Sequence, residues 1–414
     1  MAKVEKVVHV MRRFTPEKWG GTESVVFSVS KELTRRKIVN RVFCTDMLAE
    51  SGFHTLESVS VRRFSYCFPW LFLSRAARKK LELKGGSPLS LPLFFALLVE
   101  KDISVIHTHV QKRLGGMART VARLKKIPYV VSLHGGCFSV PTEQLEKMTE
   151  PFRGKPEWGK AFGALFGSRR VLEDADAIIC VGRNEADEAR KRFPDKPVHY
   201  LPNGVDVRRF SEADGEAFRK KYGFRPREKI VLCVSRIDYQ KNQLGLVRAF
   251  SAFAENHPDH RLVLIGPVTV EAYRDTLEKE IQTLGLSGRV TVIEGLSPLD
   301  PLLPSAYKAA EMFVLPSVHE PFGIVVLEAW AAGLPVVANR IGGIPGFVKH
   351  RETALLTEPG DDDALREGME ILAEDIALRS DLSRRAFGEV ASTYDWSKVT
   401  DRLLAVYEEV IAVK

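Results

Sequence analysis

Long apolar runs are missing from this 414-residue chain. A membrane-crossing helix needs roughly 18–20 unbroken apolar residues, and the most apolar window, Pro88–Val99, is too short for one. The chain opens Met1-Ala2-Lys3-Val4-Glu5-Lys6 and runs into Val7-Val8-His9-Val10, a charged start before a short buried strand, not the apolar region of a secretory leader. A cytoplasmic protein is expected, at most peripheral at the inner face of a membrane. Cysteine is scarce. Cys44, Cys67, Cys137, Cys180 and Cys233 are odd in number and scattered, with no pair at zinc-ligand or redox spacing. Buried, reduced thiols are expected. No zinc-finger, RRM or KH signature is present, so nucleic acid is not an expected partner. Nothing reads as an Asp-x-Asp metal motif, and the glycine pair Gly20-Gly21 is not a Gly-x-Gly-x-x-Gly fingerprint, so neither a metal nor a dinucleotide cofactor is expected.

What is present is ordinary globular material, 45% hydrophobic and 28% charged. At about 100–200 residues per domain the length implies two domains. The net charge of +8 is uneven: residues 1–200 hold 35 Lys+Arg against 21 Asp+Glu, a balance of +14, and residues 201–414 hold 26 against 32, a balance of −6. The first half therefore favours an anionic partner, such as a phosphate-bearing substrate or an anionic membrane surface.

Short apolar runs alternate with helical spacing along the chain. Val7–Met11, Val105–His107, Tyr129–Leu133 and Ala177–Val181 read as strands, with helices such as Thr22–Arg36 and Gly115–Lys125 between them. Ile230–Val234, Arg261–Ile265, Val290–Ile293, Met312–Leu315 and Pro335–Ala338 repeat the style. Such alternation implies parallel sheets covered on both faces, hence two Rossmann-like α/β domains. Pro197, Pro202 and Gly204 place the boundary near Lys196–Asp206. The expected domains are 1–200 and 201–395, followed by a helix at about 396–413.

Chemistry concentrates after Met312–Leu315, in Ser317-Val318-His319-Glu320-Pro321-Phe322-Gly323-Ile324-Val325-Val326-Leu327-Glu328-Ala329. A helix opening directly after a strand offers free N–H groups and a positive dipole end. Gly323 lets a ligand approach the backbone. Glu320 and Glu328 could grip sugar hydroxyls on either side of a diphosphate; alternatively Glu320 caps the helix and Glu328 is solvated. Arg236 and Lys241 share one strand-to-helix loop, either as a diphosphate clamp or as two solvated cations. Gly20 and Gly21 precede a helix and offer backbone N–H groups, or serve only turn geometry. His134 ends a strand, where ligands of open parallel sheets gather. His107 and His109 lie at another strand end, with no third metal ligand evident.

The pattern His319-Glu320-Pro321-Phe322-Gly323 leading to Leu327-Glu328-Ala329-Trp330-Ala331-Ala332-Gly333 resembles the signature of family 4 of the retaining glycosyltransferases, which have the GT-B fold. Gly20-Gly21-Thr22-Glu23, Ser132-Leu133-His134-Gly135, Pro202-Asn203-Gly204-Val205-Asp206, Ser235-Arg236 through Lys241-Asn242 and Ile341-Gly342-Gly343 extend the likeness along the chain. The resemblance implies two Rossmann-like domains with parallel sheets facing across a cleft, the last helix returning to the first. It implies a hexosyltransferase that moves sugar from a UDP- or GDP-sugar to an acceptor hydroxyl, with retention and without metal, by front-face attack. It assigns His134, Arg236, Lys241 and Glu320 to catalysis. Gly20, Gly21, Arg236, Lys241, Glu320, Phe322, Gly323, Ile324 and Glu328 would bind the donor.

Rival readings are a sugar-nucleotide epimerase of the same architecture and a non-catalytic sugar-nucleotide sensor. A phosphorylase would need a Schiff-base lysine, and none stands out. The acceptor stays open among a glycan, a lipid-linked sugar and a small sugar or sugar phosphate. Phe68-Pro69-Trp70-Leu71-Phe72-Leu73 followed by Arg75, Arg78, Lys79 and Lys80 suits an anionic membrane surface, or equally a buried helix edge beside solvated cations.

Overall fold

The computed structural model describes residues 3–15, 19–83, 85–135, 138 and 149–414. Two compact units emerge, one of Met1–Pro202 with Val399–Lys414 and one of Asn203–Lys398.

Among the described residues the first unit has eight strands: β1 (Lys6–Val10), β2 (Val39–Thr45), β3 (Gly52–Leu56), β4 (Val59–Phe64), β5 (Val105–Thr108), β6 (Tyr129–Leu133), β7 (Ala177–Cys180) and β8 (Val198–Tyr200). Their order is β3-β4-β2-β1-β5-β6-β7-β8. Only β3, which pairs with β4, runs antiparallel to its neighbour. Side chains alternate across the sheet. Val8 and Val10 join Ile106, Val131 and Ile178 in one apolar cluster, while His9 faces the other way, in register with His107. The helix Trp396–Val413 serves that opposite face: Tyr407 is fully buried and its hydroxyl lies 2.6 Å from His107 Nδ1. Lys414 closes the chain on Asp176 at 2.5 Å.

The second unit holds six parallel strands: β9 (Lys229–Val234), β10 (His260–Ile265), β11 (Val290–Ile293), β12 (Met312–Leu315), β13 (Val336–Asn339) and β14 (Leu355–Thr357), in the order β11-β10-β9-β12-β13-β14. Ile230, Leu232 and Val234 enter one cluster, Val231 and Cys233 the other, so both faces are covered.

In each unit the strand order reverses at one point, between β1 and β5 and between β9 and β12. Ligands of open α/β sheets bind beyond the carboxyl ends of the strands at such a point. The sequence motifs gather there.

Several elements were not expected. Strands β2, β3, β4, β8 and β14 lack a long apolar run, and β8 lies inside the stretch read as boundary. Phe68, Pro69 and Trp70 are buried, with Phe68 and Trp70 packed on Met47 and Leu81. Of that aromatic segment only Leu71 and Phe72 are exposed, beside exposed Arg75, Arg78, Lys79 and Lys80. Cys44, Cys180 and Cys233 are buried and Cys67 half-buried, all as free thiols. Cys137 lies outside the described residues.

Candidate active site

In the second unit two loops meet at the reversal. The β9 loop carries Arg236 and Lys241; the β12 loop carries Glu320. Backbone bonds join them, since Val318 N and His319 N donate to Gln240 O at 2.9 and 3.3 Å. Lys241 Nζ donates to Glu320 Oε2 at 2.7 Å, and both side chains are about nine-tenths buried. A buried pair of this kind keeps each charge compensated. Arg236 is more open; it reaches Asp238 at 3.1 Å and donates to Gln240 Oε1 at 3.2 Å. Gln243 fixes the loop by donating to Ser235 Oγ and to Arg236 O.

A third loop supports Glu320 from below. Gly343 N donates to Glu320 O at 2.9 Å. Gly342 sits at φ +57°, and a Cβ there would lie 2.0 Å from Glu320 O. Gly323, at φ +99°, caps the helix Ile324–Ala331, and a Cβ there would meet Ile344 Cδ1 at 2.4 Å. Ile324 begins the helix and is half-buried. Phe322 turns inward and stacks on Phe347, ring centroids 4.9 Å apart, so it offers a ligand its backbone and not its ring. Glu328 accepts a hydrogen bond from Tyr307 Oη at 2.6 Å. Burial raises its pKa, against the opposing effects of Tyr307 and of nearby Arg209.

The first unit places a cavity of about 360 Å³ at its own reversal, lined by Arg12, Arg13, Glu23, His109, Ser132 and His134 among others. Gly20 caps the helix Gly21–Arg35, but its N–H already donates to Glu23 Oε2 at 3.0 Å, and Glu23 also takes Arg13 Nε at 3.3 Å. A phosphate seeking the Gly20 amide must displace this carboxylate; Gly21, in the first turn, has no intrahelical acceptor for its N–H. His134 hydrogen-bonds His109, 2.9 Å from its Nε2 to His109 Nδ1. His107 and His109 have the third neighbour that the sequence did not reveal: among the described residues, His9, His107 and His109 bring ligand-capable atoms within 4.8 Å of one another. Both His107 nitrogens are engaged by protein hydroxyls, Tyr407 at 2.6 Å and Ser132 at 2.7 Å.

Two Asp-x-Asp strings occur, Asp174–Asp176 and Asp361–Asp363. Asp174 is bound by Arg119, Arg123 and Arg170, and Asp176 by Tyr129 N and Lys414. Asp361 caps the helix Asp362–Glu374. The Asn203–Asp206 motif is also architectural: a Cβ on Gly204 would strike the Trp396 ring at 2.8 Å, and Asp206 caps the helix Val207–Ser211.

Two family models cover most of the chain, "Glycosyltransferase Family 4" over residues 19–209 and "Glycosyl transferases group 1" over residues 214–388. A D-inositol 3-phosphate glycosyltransferase of Catenulispora acidiphila is 30% identical over 340 residues, 79% of this chain and 78% of the relative. The chain belongs to glycosyltransferase family 4. Sucrose-phosphate synthase from Thermosynechococcus elongatus superposes with a TM-score of 0.73 at 21% identity, covering 99% of this chain and 100% of that one. Anabaena HepE in complex with UDP gives 0.72 at 18% identity, covering 98% and 100%. The glycosyltransferase therefore has the GT-B fold, with no helix among the described residues long and apolar enough to cross a membrane.

Sequence reasoning missed His9, Tyr307, Arg209 and Tyr407 in this glycosyltransferase. Each is brought to its place by tertiary packing, although pairing β1 with β5 would have set His9 beside His107. Glu328 yields a stability prediction. Its folded pKa is raised, so the native state holds its proton where the unfolded chain has lost it. Stability is thus lost as pH rises from the ordinary glutamate pKa through the folded value. Glu328→Gln should raise the melting temperature at pH 7 and show no gain at pH 3, read by thermal unfolding across pH. Equal shifts at both pH values would refute the charge origin.

Proposed function

We propose that this glycosyltransferase moves a hexosyl group from a nucleoside-diphosphate sugar to a hydroxyl of a phosphate-bearing acceptor, with retention at the anomeric carbon and without a metal. The observation that carries the donor half is the buried Lys241–Glu320 pair beside Arg236, set at the strand-order reversal and ahead of a helix N-terminus. Arg236, Lys241 and the first N–H groups of the helix, at Ile324 and after Gly323, take the diphosphate. Glu328, held by Tyr307, accepts from the two ribose hydroxyls. Glu320 orients Lys241 and accepts from a hydroxyl of the sugar. The Phe322 backbone completes the donor contacts of the second unit, and in the first unit the Gly21 amide, with that of Gly20 once Glu23 releases it, is offered to a phosphate. The Anabaena neighbour's complex with UDP supports a uridine donor.

In the transfer the bond from the anomeric carbon to the β-phosphate oxygen breaks, and the acceptor oxygen bonds the same face of that carbon. The acceptor proton passes to the departing phosphate. Arg236 and Lys241 stabilise the charge that develops there, which is a cation's work without a cation. His134 contacts the transferred sugar. Screening UDP- and GDP-sugars for acceptor-dependent release of nucleoside diphosphate tests the reading. Release without acceptor-linked product, or epimerised donor, would overturn it, as would full loss of activity in a chelator restored by a divalent ion.

The acceptor half rests on Lys112 and Arg12. Both line a second cavity of about 230 Å³ with Gly85, Gly86 and Ser87, and this cavity shares Arg12, Val110 and Gln111 with the one that holds His134. Lys112 is exposed at the start of its helix, and desolvation by its surroundings, then Arg113 and Arg12, lowers its pKa. Burial, then Arg13, lowers Arg12 to about 10. Crowded cations at the start of the helix Lys112–Lys125 favour a phosphoryl group. The name of the Catenulispora relative refers to a phosphorylated cyclitol and that of the Thermosynechococcus neighbour to a phosphorylated sugar. Lys112→Gln should raise KM for a sugar-phosphate acceptor by roughly tenfold or more, the scale of one charge-assisted hydrogen bond. It should leave KM for an unphosphorylated sugar unchanged; equal effects on both would remove Lys112 from the subsite.

Exposed Leu71 and Phe72 beside Arg75, Arg78, Lys79 and Lys80 favour a second reading, in which the phosphate belongs to a lipid-linked acceptor at an anionic membrane. Vesicles of anionic lipid should then bind the protein at low salt and release it as salt rises. No binding at low salt excludes this version and leaves the water-soluble acceptor.

A further inference from the structure

Three imidazoles run in line from the core of the first unit to its cavity. His9 Nδ1 lies 3.1 Å from His109 Nε2, and His109 Nδ1 lies 2.9 Å from His134 Nε2. His9 is fully buried, and its Nε2 has no hydrogen-bond partner among the described residues. His107, the fourth imidazole nearby, is tied to Tyr407 and Ser132 and stands outside the line. Burial depresses all three members, His9 to about 3, His134 to about 4 and His109 well below the usual histidine value, so the line is neutral at pH 7.

A neutral imidazole donates through one nitrogen and accepts through the other. Two hydrogen bonds in series therefore allow only two arrangements. In one, every proton points inward and His9 Nε2–H is a donor buried without an acceptor. In the other, every proton points outward and His9 Nε2 is a bare lone pair. Among buried backbone groups, orphaned N–H donors are rarer than under-satisfied acceptors, and we extend that ordering to the imidazole. The outward arrangement wins: His9 Nδ1–H donates to His109 Nε2, and His109 Nδ1–H donates to His134 Nε2.

We infer that His9 and His109 act as positioning residues that lock His134 in its Nδ1–H tautomer, so that His134 serves the reaction as a hydrogen-bond donor and not as a base. His134 Nε2 is occupied as an acceptor, and the one remaining nitrogen carries the proton. The tautomer follows from the hydrogen-bond line and the unpartnered His9 Nε2 at its buried end; its consequence for turnover rests on the proposed contact of His134 with the transferred sugar. There a neutral donor gives a hydrogen bond to a sugar or phosphate oxygen. It leaves the acceptor proton to the departing phosphate, which is the division of labour that front-face transfer needs.

The test is the tautomer itself, read by long-range proton–nitrogen correlation on full-length protein with nitrogen-15-labelled histidine, the His134 signals being identified by their loss in His134→Gln. The wild type should show a protonated Nδ1 and a bare Nε2 at His134. His9→Asn keeps a donor near the Nδ1 position and should retain both the signature and kcat. His9→Asp puts an acceptor in place of the donor, so His109 Nε2–H must donate to it and His134 should turn to the Nε2–H form. It should lower kcat roughly tenfold, the effect of one lost hydrogen bond, with both KM values unchanged. A wild-type His134 protonated on Nε2 overturns the inference whatever the activities, and so it remains decidable if His9→Asp does not fold. A flipped tautomer with unchanged kcat would keep the lock and discard the contact between His134 and the sugar.

Discussion

Lys241→Met is expected to cost both turnover and stability, and a second substitution should separate the two. Loss of one charge partner of the transition state lowers kcat by about 10²–10³, roughly 2.7–4 kcal/mol. The stability cost has a different source. Glu320 would be left about nine-tenths buried with its 2.7 Å partner gone, and an uncompensated buried charge costs about 3–5 kcal/mol. Pairing Lys241→Met with Glu320→Gln removes that charge. The double variant should recover most of the lost urea midpoint while turnover stays low. Glu320→Gln alone should slow transfer and leave Lys241 as the uncompensated member. The measurements are initial rates with the responding nucleotide sugar and urea titrations of the four proteins. Turnover of Lys241→Met within a few-fold of wild type would remove Lys241 from the clamp. A double variant no more stable than Lys241→Met would show that the pair is not the origin of the stability loss.

What the sequence made legible, and what it hid, divides by distance along the chain. Arg236 with Lys241 lies on one strand-to-helix connection, and Glu320 lies on another whose helix carries Glu328, so local spacing alone places them near a strand end. The central strands were equally plain, since burial on both faces makes them continuous apolar runs. The outer strands were not. β3 alternates between exposed and half-buried residues and β2 carries Asn40 and Arg41, so neither reads as an apolar run. Contacts such as His9 with His109 and His107 with Tyr407 join residues 100 and 300 positions apart. They depend on the register of β1 against β5 and on where the last helix packs, which no local pattern encodes. Phe322 shows a subtler limit: a motif position can serve a ligand through its backbone while its ring fills the core, and the residue type does not say which. Glu23 shows another, because the carboxylate at Gly20 occupies the amide that the glycine pair was read as offering to phosphate.

The glycines beneath Glu320 carry the second large expectation, and they link backbone geometry to chemistry. Gly342→Ala forces two penalties at once. An alanine at φ +57° is strained by roughly 1–2 kcal/mol. Its Cβ would also sit 2.0 Å from Glu320 O, a backbone atom that cannot rotate away. The β12 loop must move, breaking the 2.9 Å bond from Gly343 N to Glu320 O and carrying the Glu320 carboxylate off Lys241. A displacement of about 1 Å in a group that positions the reaction costs on the order of 10²-fold in rate. Gly223→Ala supplies the control: Gly223 has φ +73°, with nothing within 4 Å of an added Cβ. It should show the backbone strain as a lower melting temperature and leave kcat unchanged. Gly342→Ala should lose kcat by about 10²-fold at a temperature where it is still fully folded by circular dichroism, since the loss comes from a moved loop and not from unfolding. Equal kcat in the two variants would mean that the Glu320 loop tolerates the shift, and that the close approach of Gly342 serves packing alone.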